Sequence, residues 1–238
     1  MSSFIYKITF WEEIENPMKN LNRYLESTLL KPTMTQSDVD HLLREAIEDQ
    51  VMGVCLPGFW LKKAKRELGQ EDIRLVTVIG FPFGFEDTAS KVAEAREAIK
   101  QGADELDLVW SLTSFLSGMN WAKIEIAQLA KLCHEDDRIL KVIIETAYLT
   151  PEQIREACLL CQDAGADFVK TSTGYASSGA KVEDIRLMRD TLSSSVGIKA
   201  SGGIKTLEFA EELIQAGADR IGTSSSRAIL EAWRKTQF

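Results

Sequence analysis

Asp167-Phe-Val-Lys-Thr-Ser-Thr-Gly174 puts a lysine in the middle of a run that otherwise reads as apolar strand. Upstream, Ala164-Gly-Ala166 carries a glycine of the kind that ends a helix; downstream, Thr171-Ser-Thr-Gly174 offers small residues whose backbone amides an anion can approach. A buried ammonium is costly in apolar surroundings. Lys170 must therefore find a carboxylate, reach solvent, or shift toward the neutral amine that attacks carbonyls. Val196-Gly-Ile-Lys-Ala-Ser-Gly-Gly203 nearly repeats the pattern, with Lys199 interrupting another short strand that runs into glycines. Two strand lysines on neighbouring strands predict one pocket.

Outward from these motifs the chain alternates strand and helix. Strand candidates lie at 24–30, 53–56, 74–81, 105–110 and 139–146, around Lys170 and Lys199, and at 220–225. Helices are expected from Thr35 to about Gln50, at 59–68, 87–101 and 115–135, from Pro151, at 182–191 and 206–216, and from the last strand to about Lys235. Thr35 with Asp38, and Thr150 with Pro151 and Gln153, are helix-start signatures. Gly-Ala-Asp occurs at 102–104, 165–167 and 217–219, each time between a helix and a strand. Eight strands alternating with eight helical units imply a parallel sheet closed into a (β/α)8 TIM barrel, occupying residues 24–238 as one domain behind a short, partly helical N-terminal extension, 1–23. An open doubly wound sheet is the alternative; no G-x-G-x-x-G follows the first strand to support it.

The chain has 238 residues and a net charge of −8, a balance that speaks against general nucleic-acid binding. A phosphate ligand must be small and gripped locally. The N-terminus shows no basic leader or long apolar run, and no stretch approaches the roughly 20 apolar residues of a membrane span, so a cytoplasmic location is expected. Cys55, Cys133, Cys158 and Cys161 are expected as free thiols. Cys158 and Cys161 form a C-x-x-C, but on a helix whose apolar face includes both, which favours core packing over redox or metal chemistry. With only His41 and His134 among the histidines, no metal cluster is expected.

In a barrel of this kind the site is built at the carboxyl ends of the strands. Glu26, Thr28, Asp107, Lys141, Glu145, Lys170 and Lys199 meet that test. Lys141 reads equally well as an ion-pair residue, with Glu145 or another acid as its barrel partner. Lys199 beside Lys170 would supply like-charge repulsion that, with desolvation, brings a catalytic lysine to a pKa of roughly 7 or 8. Asp107 would move protons, and the chemistry suggested is Schiff-base formation. Thr173-Gly174, Ser201-Gly202-Gly203 and Gly222-Thr-Ser224-Ser225 follow the sixth, seventh and eighth strands, the usual place of a barrel phosphate cradle.

With these residues assembled, the chain resembles the deoxyribose-phosphate aldolase family. The likeness runs from Thr28-Leu-Leu-Lys-Pro32 through Val78-Ile-Gly-Phe-Pro82, Gly102-Ala-Asp-Glu-Leu-Asp107, Leu140-Lys-Val-Ile-Ile-Glu-Thr146, Ala164 to Gly174 and Lys199-Ala-Ser-Gly-Gly203 to Arg220-Ile-Gly-Thr-Ser224. The resemblance implies a class I aldolase needing no metal or cofactor, in which Lys170 forms the Schiff base while Asp107 and Lys199 work the proton transfers. It implies reversible cleavage of 2-deoxyribose 5-phosphate to glyceraldehyde 3-phosphate and acetaldehyde, while the phosphate is expected on the clusters read above, at Thr173, Gly174, Gly202, Gly203, Gly222, Ser224 and Ser225. Two other readings share these residues: a Schiff-base aldolase acting on a different sugar phosphate, and a catalytically silent phosphate-binding barrel. The partner expected is a small phosphorylated sugar, and apolar helix faces suggest a homodimer. The sequence departs from the family pattern at Glu26-Ser27, where Asp-His is usual, at Pro57, at Ser111 and at the C-terminal Phe238, where some relatives carry tyrosine. Fewer fixed hydrogen bonds to the sugar are expected.

Overall fold

The computed structural model describes residues 20–237, so most of the expected extension (1–19) and Phe238 lie outside it. Eight parallel strands close on themselves: β1 (Leu25–Thr28), β2 (Gly53–Leu56), β3 (Arg74–Ile79), β4 (Glu105–Val109), β5 (Ile139–Ile143), β6 (Phe168–Lys170), β7 (Gly197–Ser201) and β8 (Arg220–Thr223). Closure is made where Leu25, Glu26 and Ser27 pair with Ile221, Gly222 and Thr223, which excludes the open sheet. Around the barrel run α1 (Gln36–Asp49), α2 (Leu61–Leu68), α3 (Thr88–Lys100), α4 (Leu112–Leu116), α5 (Trp121–Glu135), α6 (Pro151–Asp163), α7 (Val182–Thr191), α8 (Leu207–Gln215) and α9 (Ser226–Lys235).

Both expected helix starts form as full capping boxes, Thr35 with Asp38 and Thr150 with Gln153, the second with Pro151 in the first turn. Three expectations are corrected. The single helix at 115–135 is two, because Gly118 takes a left-handed φ of 67° that ends α4 before α5 begins. The helix at 59–68 opens as a 3-10 turn, Gly58–Trp60. The first strand is shorter than 24–30, since Tyr24 ends a 3-10 turn, Leu21–Tyr24, that packs Leu21 into the core. Cys158 and Cys161 are buried free thiols on α6, as the helix-core reading requires.

The three Gly-Ala-Asp copies are one device used three times. Each glycine has positive φ, and the amide of the following alanine reaches back to the helix: Ala103 to Ala98, Ala166 to Cys161, Ala218 to Leu213. That is a Schellman ending. The aspartate then grips the preceding strand twice. Its backbone N–H donates to Leu75, Leu140 or Ile198, and its carboxylate accepts from the N–H of that same residue. Each carboxylate also meets a side chain of opposite or potential positive charge: Asp104 meets Arg138 at 3.1 Å, Asp167 meets His134 at 2.9 Å and Asp219 meets Arg189 at 3.5 Å. The barrel is thus stapled at the strand starts in the pairs β3–β4, β5–β6 and β7–β8.

Among the described residues, no helix is long and apolar enough to cross a membrane. Removing one staple leaves a backbone N–H without its acceptor beneath the site, a loss of about 1–3 kcal/mol. Asp219→Ala should lower the unfolding free energy from urea titration by that amount, as a lower midpoint with the slope unchanged; a loss within experimental error would show that Ile198 finds water instead.

Candidate active site

The barrel interior is charged rather than apolar. Glu26, Glu105, Asp107, Lys141, Lys170, Lys199 and Arg220, from six strands, are all buried. Strand alternation puts them on the inner face, and glycines make room: a Cβ on Gly222 would stand 3.0 Å from Lys199 Cε. Gly222, expected in the phosphate cradle, thus serves as clearance for Lys199.

Asp107 is the hub. Its Oδ2 accepts from Lys170 Nζ and from Lys199 Nζ, both at 2.7 Å, and its Oδ1 accepts from Lys141 Nζ at 3.1 Å. Burial alone would push this carboxyl up, but Lys141, Lys170 and Lys199 together hold it well below the usual range. Lys199 is also bonded to Glu26. Burial pulls its ammonium down, yet Asp107 and Glu26 outweigh that and raise it. The expected bare repulsion between two lysines is corrected here, because carboxylates stand between them. Lys170 remains next to a cation held charged, and its amine lies at the carboxyl end of β6.

Lys141 pairs with Glu105 at 2.5 Å and with Glu26 at 3.7 Å besides Asp107. Its expected partner Glu145 is elsewhere. β5 ends at Ile143, and Glu145 takes a left-handed φ of 55° that turns it out of the strand to accept from Thr173 N–H at 3.1 Å and from the Thr173 hydroxyl. Both Thr173 donors, expected to face an anion, are therefore occupied. Burial pushes the Glu145 carboxyl up, against the pull of the Thr173 bonds and of Lys170.

The other expected anion residues gather at one rim, above three consecutive strands. Gly174, Gly202 and Gly203 have φ of 88°, 88° and 77°, conformations that turn peptide groups outward at no steric cost. Gly203 and Ser224 are exposed, and Ser225 stands at the start of α9, whose first amides face the same rim. Of the departures, Ser27 Oγ is bonded to Ser226 Oγ at 2.5 Å, Pro57 leads the 3-10 turn, and Ser111 N–H donates to Glu125 at 3.0 Å. Among the described residues no group of three or more His, Cys, Asp or Glu is placed to hold a metal.

The sequence that places a strand lysine on a carboxylate shared with a second lysine, beside a glycine-rich rim, is also matched by a family model. That model, DeoC/LacD family aldolase, covers residues 26–232. The chain belongs to this aldolase family. The deoxyribose-phosphate aldolase of Brevibacillus brevis is 46% identical over 218 residues, 91% of this chain and 98% of that protein. The enzyme of the same name from Thermococcus gammatolerans is 45% identical over 221 residues, 92% and 98% of the two chains. The solved deoxyribose phosphate aldolase of Aeropyrum pernix, described as tetrameric, superposes with a TM-score of 0.86 at 31% identity, over 95% of this chain and 96% of that one.

Sequence reasoning missed two residues of this aldolase site and one buried lysine beside it. Glu105 and Arg220 open the fourth and eighth strands without a role of their own in the sequence reading, but they complete the charged floor, with Arg220 3.9 Å from Glu105 and 4.0 Å from Glu26. Lys91 is fully buried on α3, donating to Val109 O at 2.9 Å and to Glu125 at 3.0 Å. Helical periodicity gave no sign of it, and its partner is remote in sequence.

Lys141 serves structure by compensating three buried acids. Lys141→Met would strand carboxylates in the barrel, a cost of about 3–5 kcal/mol. The sign of the pH dependence follows from the shifts. The lowered Asp107 contributes stability that is present above its unfolded value and lost as pH falls through the folded one. The raised Lys141 and Lys199 contribute stability present below their unfolded value and lost as pH rises through the folded one. Urea titrations should therefore show a gap between wild type and variant that is flat from roughly pH 4 to pH 10 and closes only outside that window. A gap that disappears between pH 5 and 8 would contradict this pairing.

Proposed function

We propose that this protein is a class I aldolase that reversibly cleaves 2-deoxyribose 5-phosphate to glyceraldehyde 3-phosphate and acetaldehyde, with residues 24–238 as its single domain. The observation that carries the reading is the one carboxylate oxygen of Asp107 shared by two buried amines. Lys170 attacks the carbonyl. Asp107 takes and returns protons as carbinolamine becomes iminium. Lys199, kept charged by Glu26 and Asp107, stands beside the reacting amine as a fixed positive charge and shares Asp107 Oδ2 with it. Phosphate is received at the rim by amides of Gly174, Gly202, Gly203, Ser224 and Ser225. Thr173 acts there through Glu145, and Gly222 through the room it leaves for Lys199.

The relatives named deoxyribose-phosphate aldolase, near 45% identical over nearly their whole length, support this substrate over another sugar phosphate. Retention of Lys170, Lys199 and Asp107 in bonding contact supports catalysis over silent binding. A homodimer belongs to the same proposal, supported by the exposed Leu116, Met119, Trp121 and Ile124 on and beside α4 and α5.

Borohydride reduction in the presence of acetaldehyde should leave a single ethyl adduct on Lys170 by peptide mapping. An adduct on Lys199 or Lys141 would reverse the roles of these lysines. Lys199→Leu should lower kcat at neutral pH by at least about a hundredfold, the scale of general acid–base catalysis, while the protein stays folded. A near-normal rate would make Lys199 an ion-pair residue only.

A further inference from the structure

One buried ammonium lies outside the charged floor of the barrel. Lys91 on α3 is fully buried, and its Nζ meets both carboxylate oxygens of Glu125 on α5 at 3.0 Å. Glu125 is itself 1% exposed. Two helices do not need such a pair to pack, because apolar side chains of similar volume serve as well or better once the desolvation of two charges is counted. What the pair supplies, and apolar side chains cannot, is direction.

Its remaining bonds converge on the end of β4. Lys91 Nζ donates to Val109 O at 2.9 Å, and Glu125 accepts from Ser111 N–H at 3.0 Å. The ladder between β3 and β4 ends with Ile79 opposite Leu108, so Val109 to Ser111 run past the neighbouring strand, and the two helices hold them instead. The packing there is close. Gly80 has a left-handed φ of 62°, and a Cβ on it would stand 2.7 Å from Lys91 Cε. A Cβ on Gly84 would run into Trp110 O and stand 2.9 Å from Val109 O, so the loop leaving β3 is pressed against the end of β4. Gly80 N–H donates to Glu94 of α3 at 2.8 Å, and the buried Trp110 ties the other flank by donating Nε1–H to Ile144 O at 3.1 Å.

Asp107 lies two residues before Val109 on the same strand and shares that anchorage. Its Oδ2 must stay within bonding distance of amines on two other strands, 2.7 Å from each. A shift of about 1 Å would break that geometry, and misplacement on this scale costs about a hundredfold in rate even when the residue altered is far from the chemistry.

We propose that the Lys91–Glu125 pair positions Asp107: from outside the barrel it fixes the end of β4, and so keeps one carboxylate oxygen between Lys170 and Lys199. The inference rests on the aldolase reading above. Neither residue touches the reacting atoms; both act through the backbone of Val109 and Ser111.

The test uses the full-length protein, cleavage of 2-deoxyribose 5-phosphate and urea titration. Lys91→Met alone leaves Glu125 uncompensated and should lower the urea midpoint, so two double variants carry the test. Lys91→Met/Glu125→Leu removes both charges and both backbone bonds. Lys91→Met/Glu125→Gln removes both charges but keeps an acceptor for Ser111 N–H. Each should fold with a urea midpoint near that of the wild type. The leucine variant should lose at least about tenfold in kcat with KM within about twofold, because the rim over β6, β7 and β8 is untouched. The glutamine variant should fall between, with kcat at least about threefold from either. A leucine variant with kcat within about twofold of the wild type, a KM that rises as kcat falls, or equal kcat in the two double variants would leave Lys91 and Glu125 as a structural ion pair and overturn the positioning role. If the leucine variant does not fold, the glutamine variant decides alone, and a wild-type kcat in it overturns the role. No cleavage by the wild type and no borohydride adduct on Lys170 would overturn the aldolase reading and the positioning role with it.

Discussion

One oxygen atom, Asp107 Oδ2, accepts hydrogen bonds from two lysines of adjacent strands in the interior of a closed barrel. The surrounding charges follow from that arrangement. Buried lysines so close to one another need more negative charge nearby than one aspartate offers, and Glu26 and Glu105 supply it. Those acids in turn need Lys141 and Arg220. The charged interior is therefore a set of mutual obligations, in which removing any member leaves a buried charge uncompensated. It also fits the glycine opposite Lys199, since a Cβ on Gly222 would crowd Lys199 Cε at 3.0 Å on its way to Asp107.

The mouth and the base of the barrel divide the labour. At the base, the Gly-Ala-Asp staples fix strand against strand through backbone amides. At the mouth, left-handed glycines and the left-handed turn at Glu145 shape the loops, with Glu145 holding the Thr173 amide and hydroxyl. The reactive amine lies between a rigid floor and a rim of loops, the arrangement that lets barrels change substrate by loop substitution.

Much of this was legible in the sequence because strand lysines are expensive. Lys170 and Lys199 demanded an explanation, and the strand-end rule added Asp107. Capping boxes were equally readable, since donor and acceptor lie three residues apart. What escaped had partners far away or depended on the backbone. The Gly-Ala-Asp repeat was visible as punctuation, but the acceptor role of its aspartate toward another strand was not. Glu145 continues the apolar run Val142-Ile143-Ile144, and nothing beside it announces a left-handed turn. Lys91 sits on a helix, and the partners that accompany its burial, Glu125 and Val109 O, are remote in sequence. The break at Gly118, by contrast, stands in plain view as Ser117-Gly118, and one unbroken helix from 115 to 135 ignores it.

The staples join β3 to β4, β5 to β6 and β7 to β8, which leaves the first quarter of the ring to be fastened differently. Its helix ends in the same way, with Gln50 left-handed and the Val51 amide returning to Ala46, but Met52 stands where the aspartate would be. The Met52 amide still donates to Leu25 O, and the missing carboxylate grip is replaced from upstream. Asn22 donates to the carbonyls of Asp49 and Gln50, while Arg23 reaches those of Val51 and Asp72. The ring is therefore locked by residues that precede its first strand. A chain shortened to begin at Leu25 would keep all eight staves of the cask and lose a hoop, and fraying would begin at the β1–β2 seam.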